Sequence, residues 1–331
     1  MSDLSAQYGR ASAMRGVMGR LGPHQLLNAA IFAFLAVLPM LVPGFWIYSV
    51  ALVMAQTINI MAISFLIRFT GEVSIGHTFF IAIGAYAVGT LQYHYGVPIL
   101  FSIIVSVVLS TLLGALFAWP SRGLSGVYLS VVTLALGLCV PEILLYFTEF
   151  TGGFEGLFID GQILRGQSVD LQAYYMALIG VTVVAFILYR FRGSRIGLAV
   201  LTVRAHPHAG ASFGMTVGAA RVSAFALSAG IAGFGGALAG IVTSMVSPNS
   251  FTFFTSITLL VGSVVSLYSL RLYGALMGGA FITLMPQFLS GYGQIIPMIY
   301  GFALVMFIIT ANVIGPWAMR NIRKRQNSHV G

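Results

Sequence analysis

Charged residues and Pro/Gly clusters cut the chain into ten apolar runs, at 26–42, 45–67, 73–92, 97–119, 127–147, 171–189, 222–246, 252–270, 272–290 and 293–315. A helix needs about 20 apolar residues to cross the hydrocarbon core of a bilayer, so the pattern predicts about ten transmembrane helices. The first run is short and meets the second at Val42-Pro43-Gly44, the pattern of a hairpin that need not fully cross. Most links between runs are a few residues long, as antiparallel neighbours require. Two are longer: an outer loop at about 148–170, carrying Thr151-Gly152-Gly153-Phe154-Glu155-Gly156-Leu157, and an inner loop at about 190–221, carrying five arginines.

The basic residues orient this array. With the N-terminus inside, Arg10, Arg15, Arg20, Arg68, Arg122, Arg190, Arg192, Arg195, Arg204, Arg221, Arg271, Arg320, Arg323, Lys324 and Arg325 all fall on the inner side, and Arg165 alone falls outside. Lysine and arginine accumulate in cytoplasmic loops, so this partition predicts both termini in the cytoplasm. Glu149, Glu155, Asp160 and Asp170 share the outer loop.

Composition excludes the other broad classes. Of 331 residues, 58% are hydrophobic and 7% charged, against roughly 25% charged in a soluble domain. That is too few to coat a water-facing surface, so a soluble enzyme, a disordered chain and a disulfide scaffold are ruled out. The net charge of +9 would suggest nucleic acid in a soluble protein; here the inner arginines account for it, and lipid is the expected surrounding. The single cysteine, Cys139, can build neither a disulfide within the chain nor a cysteine metal cluster. The first apolar run has no small-residue cleavage site after it and reads as a retained helix. The expected class is an all-α polytopic membrane protein: a cytoplasmic segment at 1–25, a transmembrane domain at 26–316 and a basic cytoplasmic tail at 317–331.

Polar residues inside apolar runs are the candidate chemistry, because charges there are costly. Asn59, Ser74, His77 and Thr133 are polar within spans and are the candidate lining of a translocation path, with Glu72 beside them. Arg68 and Glu72 lie four apart and would pair if the turn between them were helical. His77 has two readings, a hydrogen-bonded structural group or a contact for a substrate or proton. In run 222–246, Ser228, Ala232, Gly236 and Gly240 recur every four residues, a small-residue face that lets two membrane helices approach closely.

Absences narrow the function. No Gly-x-x-x-x-Gly-Lys-Ser/Thr cradle for ATP phosphates occurs, no chain of acidic residues crosses the spans, and no zinc-type His-Glu-x-x-His helix or paired aspartates are present. His206-Pro207-His208 has no third ligand nearby and reads as loop. No catalytic site, bound cofactor or metal is therefore expected on this chain. The inner loop holds one further element: Pro207 suits the first position of a short helix and Gly214 its end, with Ala209 and Gly210 between. A short, small-faced helix projecting from a membrane bundle suits docking into a partner's groove, though an ordinary surface helix would read the same.

Several ordered motifs carry a resemblance. Gly71-Glu72-Val73-Ser74-Ile75-Gly76-His77-Thr78-Phe79-Phe80 with Gly84-Ala85-Tyr86, then Thr133-Leu134-Ala135, Thr151-Gly152-Gly153 with Gly156-Leu157, Ser194-Arg195-Ile196-Gly197, Arg204, Pro207, Ala209, Gly214, Phe225, Ala232-Gly233 and Gly236 follow one family in order. From about Ile58 to Pro316 the chain resembles the permease subunits of branched-chain amino acid ATP-binding cassette importers, specifically the M-type partner of a two-permease pair. The resemblance implies a second permease subunit, two ATPase subunits that bind ATP and magnesium, and a periplasmic binding protein, in the inner membrane of a bacterium. It implies that 207–214 is the coupling helix to the ATPase, with Arg204, Pro207, Ala209, Gly210 and Gly214 as its residues. The match departs at Ser263-Val264-Val265-Ser266-Leu267-Tyr268-Ser269-Leu270-Arg271, where the family's glycines and proline are replaced, and at Glu72, where the family has Gln. The expected solute is thus a branched-chain amino acid or a similar small molecule such as urea, an amide or an aromatic acid. The rival expectation is an ATP-independent transporter or channel, which would need coupling ions and intramembrane charges that the chain mostly lacks.

Overall fold

The structure is a computed structural model, and it describes residues 23–121, 123, 126–163, 166–206, 210–211, 216–289, 291, 295, 298–302 and 305–306. The N-terminal residues 1–22 and the tail 317–331 lie outside the described residues.

Helices dominate the chain: α1 Pro23–Val37, α2 Gly44–Thr70, α3 Thr78–Tyr95, α4 Ile99–Ser121, α5 Val127–Leu138, α6 Val140–Tyr146, α7 Val169–Arg192, α8 Arg195–Ala205, α9 Val217–Thr243, α10 Phe253–Val265 and α11 Leu272–Phe288. Among the described residues, five helical stretches are long and apolar enough to cross a membrane: α2, α4, α5 continued into α6, α7 and α9. Shorter apolar helices cover Leu27–Met40, Phe253–Val265 and Leu272–Phe288. The fold is that of an all-α, multi-pass membrane protein. Its only strands among the described residues are β1 Leu157–Phe158 and β2 Met245–Val246, paired antiparallel between the loop before α7 and the segment after α9.

Two helices form the centre. The apolar windows of α2 and α9 are each 78% buried, against 33% for α4 and 22% for Tyr128–Tyr146. A membrane helix buried this far must press on protein all round, and α9 does so by being small. A Cβ added at Gly236 would lie 2.0 Å from the Ile81 carbonyl oxygen of α3, and one at Gly233 would lie 2.1 Å from Ser110 Oγ of α4. From the other side, α4 offers Ser102, Ser106, Ser110, Gly114 and Ala118, buried at every fourth position. Its opposite face exposes Leu100, Ile104, Val108, Leu112 and Leu116. Lipid supplies no hydrophobic drive between helices, so such close backbone contact is what holds them together.

Boundaries follow local chemistry. Gly71, at φ +79°, closes α2 by donating its N–H to the Ile67 carbonyl, the left-handed cap that glycine adopts without steric cost. The chain then runs non-helical from 71 to 77 before α3 begins, so the expected helix over 73–92 starts five residues late. Cys139 separates α5 from α6, and Pro141 just beyond it cannot donate into a continuous ladder. The C-terminal end of α1 is held from α7: Tyr174 Oη donates to the Leu35 carbonyl at 2.6 Å and Tyr175 Oη to that of Ala36 at 3.3 Å, satisfying carbonyls that a helix end leaves unpaired. Gly156 at φ +74° passes so close to β2 that an added Cβ would meet the Val246 carbonyl at 2.2 Å. The expected span 252–270 is helical only to Val265; the turn after it places Leu267 and Tyr268 at φ 57° and 50°, conformations that L side chains rarely adopt.

Candidate functional site

The non-helical segment 71–77 is where the candidate polar residues gather. It fits there because Gly76 lies against α5 so closely that an added Cβ would meet the Thr133 carbonyl at 1.7 Å. Backbone left unpaired by the break in helix is taken up by α5: Thr133 Oγ1 accepts from the Ile75 N–H at 3.2 Å, and Ser130 Oγ donates to the Val73 carbonyl at 2.8 Å. Non-helical backbone inside a membrane bundle must find such partners in the protein.

His77 is 1% exposed, and both ring nitrogens are occupied: Nδ1 lies 2.9 Å from Ser74 Oγ, and Nε2 lies 2.8 Å from Ser228 Oγ of α9. The proton order follows from the chain of bonds. Ser228 Oγ donates its one proton to the Ala62 carbonyl of α2 at 2.7 Å, so it must accept from His77 Nε2–H. Nδ1 then accepts from Ser74. The imidazole thus completes a set of three hydrogen bonds tying α2, the 71–77 segment and α9 at one point. Phe80 and Phe225 pack edge-on around the ring, at centroid distances of 5.8 and 6.0 Å.

Glu72 does not pair with Arg68. Because Gly71 turns the chain out of helical conformation, the four-residue spacing no longer places the two side chains on one face. Glu72 Oε1 instead lies 3.4 Å from Arg221 Nε, near the start of α9. Burial pushes the Glu72 carboxyl above the usual carboxylate range, and the Arg221 guanidinium opposes that shift. Arg68 contributes its backbone: its carbonyl accepts from Arg204 Nη1, which fastens the end of α8 to the end of α2. Gly210 is buried, its N–H donating to the His206 carbonyl at 2.9 Å, and an added Cβ would meet Val203 Cγ2 at 3.1 Å. Pro207, Ala209 and Gly214 lie outside the described residues.

The small face of α9 is divided between neighbours. Ser228 meets α2 and His77, Gly236 meets α3, and Gly240 meets Val246 of β2 and, more loosely, Ala85 of α3. Ala232 is fully buried. Asn59 is also fully buried on α2; its Nδ2 donates to Gln56 Oε1 at 3.0 Å, while its Oδ1 has no partner.

Two cavities stand out among the described residues, and neither is lined by Asn59, Glu72, Ser74, His77 or Thr133. The larger, about 370 Å³, is an apolar groove between α3, α4 and α6, lined by Phe79, Ile83, Tyr86, Leu109 and Ile143 among others. The smaller, about 230 Å³, lies between α2, α10 and α11 and is lined by Leu52, Gln56, Thr255, Thr258, Leu259, Ile282 and Thr283. Sequence reasoning passed over this second group: threonines near helix ends look like ordinary helix-compatible residues, and only tertiary packing sets them around one space. Among the described residues, no group of three or more His, Cys, Asp or Glu could hold a metal ion.

A family model described as branched-chain amino acid transport system / permease component matches residues 47–311. The high-affinity branched-chain amino acid transport system permease protein LivM of Escherichia coli (strain K12) is 26% identical over 276 residues, covering 76% of this chain and 65% of that protein. Its namesake in Salmonella typhimurium is 28% identical over 222 residues, covering 58% of this chain and 52% of that protein. A probable branched-chain amino acid transport permease protein LivM of Methanocaldococcus jannaschii is 27% identical over 158 residues, with 46% and 45% covered. The chain therefore spans less than two thirds of the length of these curated relatives. No solved structure matches the chain.

Proposed function

Since the chain belongs to the family of branched-chain amino acid transport system permease components, we propose that it is the permease subunit of an ATP-binding cassette importer, carrying branched-chain amino acids or a similar small solute across a bacterial inner membrane. The family match, which covers residues 47–311 and so nearly the whole helical bundle, is the observation that carries this reading. In it the chain crosses the membrane about ten times with both termini in the cytoplasm. It pairs with a second permease subunit, preferably a sibling rather than a copy. A periplasmic binding protein delivers the solute, and two ATPase subunits bind and hydrolyse ATP with magnesium beneath the pair.

The inner loop gives this division of labour a mechanical route. The segment 207–214 is the coupling helix, seated in the ATPase groove. Arg204, just before it, is hydrogen-bonded to the Arg68 carbonyl at the end of α2, and Gly210 packs on Val203 of α8. Displacement of the segment would therefore act on α8 and, through it, on the central helix α2. Allosteric coupling needs an element whose two states both partners bias; here it is the arrangement of the bundle, biased from below by ATPase closure and from above by the loaded binding protein.

Gentle extraction of the tagged chain from membranes co-expressing its neighbouring genes tests this. Two nucleotide-binding subunits and a second permease should co-purify in fixed ratio, and reconstituted vesicles should take up radiolabelled leucine only with ATP. A replacement of Gly214 by Trp should abolish uptake while membrane insertion persists. A lone chain that transports without ATP would overturn the reading and leave the ATP-independent transporter in its place.

A further inference from the structure

Buried polar groups in the bundle differ in whether the fold supplies their partners. At His77 the side chains are tied off within the protein: Ser74, Ser228, Thr133 and the histidine bond one another or the backbone. A solute passing there would have to break bonds that hold α2 and α9 together. Around the smaller cavity the opposite holds. Thr283, 8% exposed, lines that space and carries a hydroxyl with no partner. An unpartnered buried hydroxyl facing a space is unusual unless something comes to meet it.

We propose that the cavity between α2, α10 and α11 is a solute niche on the translocation path, in which Gln56 and Thr283 hold the polar head of a net-neutral molecule and Leu52, Leu259 and Ile282 receive its aliphatic part. This rests on the chain being a permease. Asn59 Nδ2 donates to Gln56 Oε1 at 3.0 Å, which orients the Gln56 amide and leaves its NH₂ as the donating end. Thr283 adds a second donor. Across the space, Thr255 and Thr258 spend their protons on the Ser250 and Phe254 carbonyls, at 3.1 and 2.9 Å; Thr258 keeps lone pairs for accepting, and Thr255 keeps one beside the bond it takes from Thr252 at 3.3 Å. One wall therefore donates and the other accepts, which suits a head bearing both an acceptor and a donor, such as a zwitterion or an amide. Among the described residues no charged side chain lines the niche, so a solute of net charge would lie uncompensated in a low-dielectric setting. The volume, about 230 Å³, lies below the roughly 300–1,000 Å³ of drug-sized sites and above the ~30 Å³ share of a single water.

The space is built rather than left over. An added Cβ at Gly279 would meet Thr57 Oγ1 at 2.2 Å and the Val53 carbonyl at 2.8 Å, and one at Gly278 would meet the Gly262 carbonyl at 2.3 Å. These contacts clamp α11 against both α2 and α10 one turn from Thr283. The niche lies beside these contacts, with Gln56 of α2 and Thr283 of α11 in its wall.

The test uses the full complex with Thr283→Val, which keeps the shape and removes the hydroxyl, with Thr283→Ser, which restores it, and with Gln56→Leu. Thr283→Val and Gln56→Leu should each lower the maximal rate of ATP-dependent leucine uptake about tenfold or more, with unchanged subunit co-purification and melting temperature, and Thr283→Ser should recover most of the rate. In parallel, Thr283→Cys in a Cys139→Ser background should react with a membrane-impermeant methanethiosulfonate. Unchanged uptake in both apolar variants, or no labelling at position 283 in any nucleotide state, would overturn the niche. Failure of the unmodified complex to import leucine with ATP would instead count against the permease reading, and labelling of position 283 in the folded chain, with or without nucleotide, still decides the niche.

Discussion

The surroundings of His77 and the cavity beside Gln56 are built from the same material, neutral polar side chains within apolar helices, yet they do opposite things. At His77 each donor meets an acceptor and the relay ends on the Ala62 carbonyl. At Gln56 and Thr283 the donors face a space of about 230 Å³. Residue type separates neither place from the other. What separates them is whether the partner is supplied by the fold, in which case a polar group fastens helices, or left to be supplied from outside.

Perturbation should make this contrast sharper, beginning where the packing is tightest. Replacing Gly236 with Val drives a Cβ to within 2.0 Å of the Ile81 carbonyl, a backbone atom that cannot turn aside. Overpacking of side chains alone costs about 1–3 kcal/mol, so a clash with backbone on the central helix should exceed that and leave no monodisperse protein on fluorescence-detected size exclusion. A normal elution profile for Gly236→Val would show that α3 and α9 are less rigidly apposed than their contact implies.

The histidine relay comes next. His77→Ala removes two hydrogen bonds and opens a buried hole, and together these should cost about 2–4 kcal/mol, seen as a lower melting temperature in detergent. Ser228→Ala is milder, about 1–3 kcal/mol, since it strands the Nε2–H of His77 and removes the bond to the Ala62 carbonyl but opens little space. If either variant keeps full stability but loses transport, the relay acts on solute and the contrast with the cavity collapses. The smallest effect has the opposite sign. Leu267 and Tyr268 hold positive φ, which costs a non-glycine residue roughly 1 kcal/mol. Leu267→Gly should therefore raise the melting temperature slightly or leave it unchanged, because glycine's added freedom in the unfolded chain offsets part of the relief.

Much of the fold was legible from the pattern of apolar runs, because a helix in lipid must satisfy its own backbone and show an apolar surface along its whole length. The positions of α2, α4, α7 and α9 follow from that requirement alone. So does the candidate packing face of α9: a row of Ser, Ala and Gly at fourfold spacing has little other use on a membrane helix. The family motifs were visible for a related reason, since Gly71, Gly76 and Gly156 stand where the backbone turns left-handed or touches another backbone.

Partner choice was not legible, because hydrogen bonds between distant segments leave no spacing to read. Glu72 is four residues from Arg68 but pairs with Arg221, since a single left-handed glycine cancels the helical geometry that spacing presumes. His77 and Ser228 are 151 positions apart, and nothing local marks them as one unit. Sequence by itself determined that this chain is a bundle of membrane helices, which faces of those helices are small, and to which family they belong, because each of these is a property of neighbouring residues. Which buried polar groups are tied off and which face an open space was decided only by the tertiary structure, because satisfaction of a donor depends on what packing brings within about 3 Å of it.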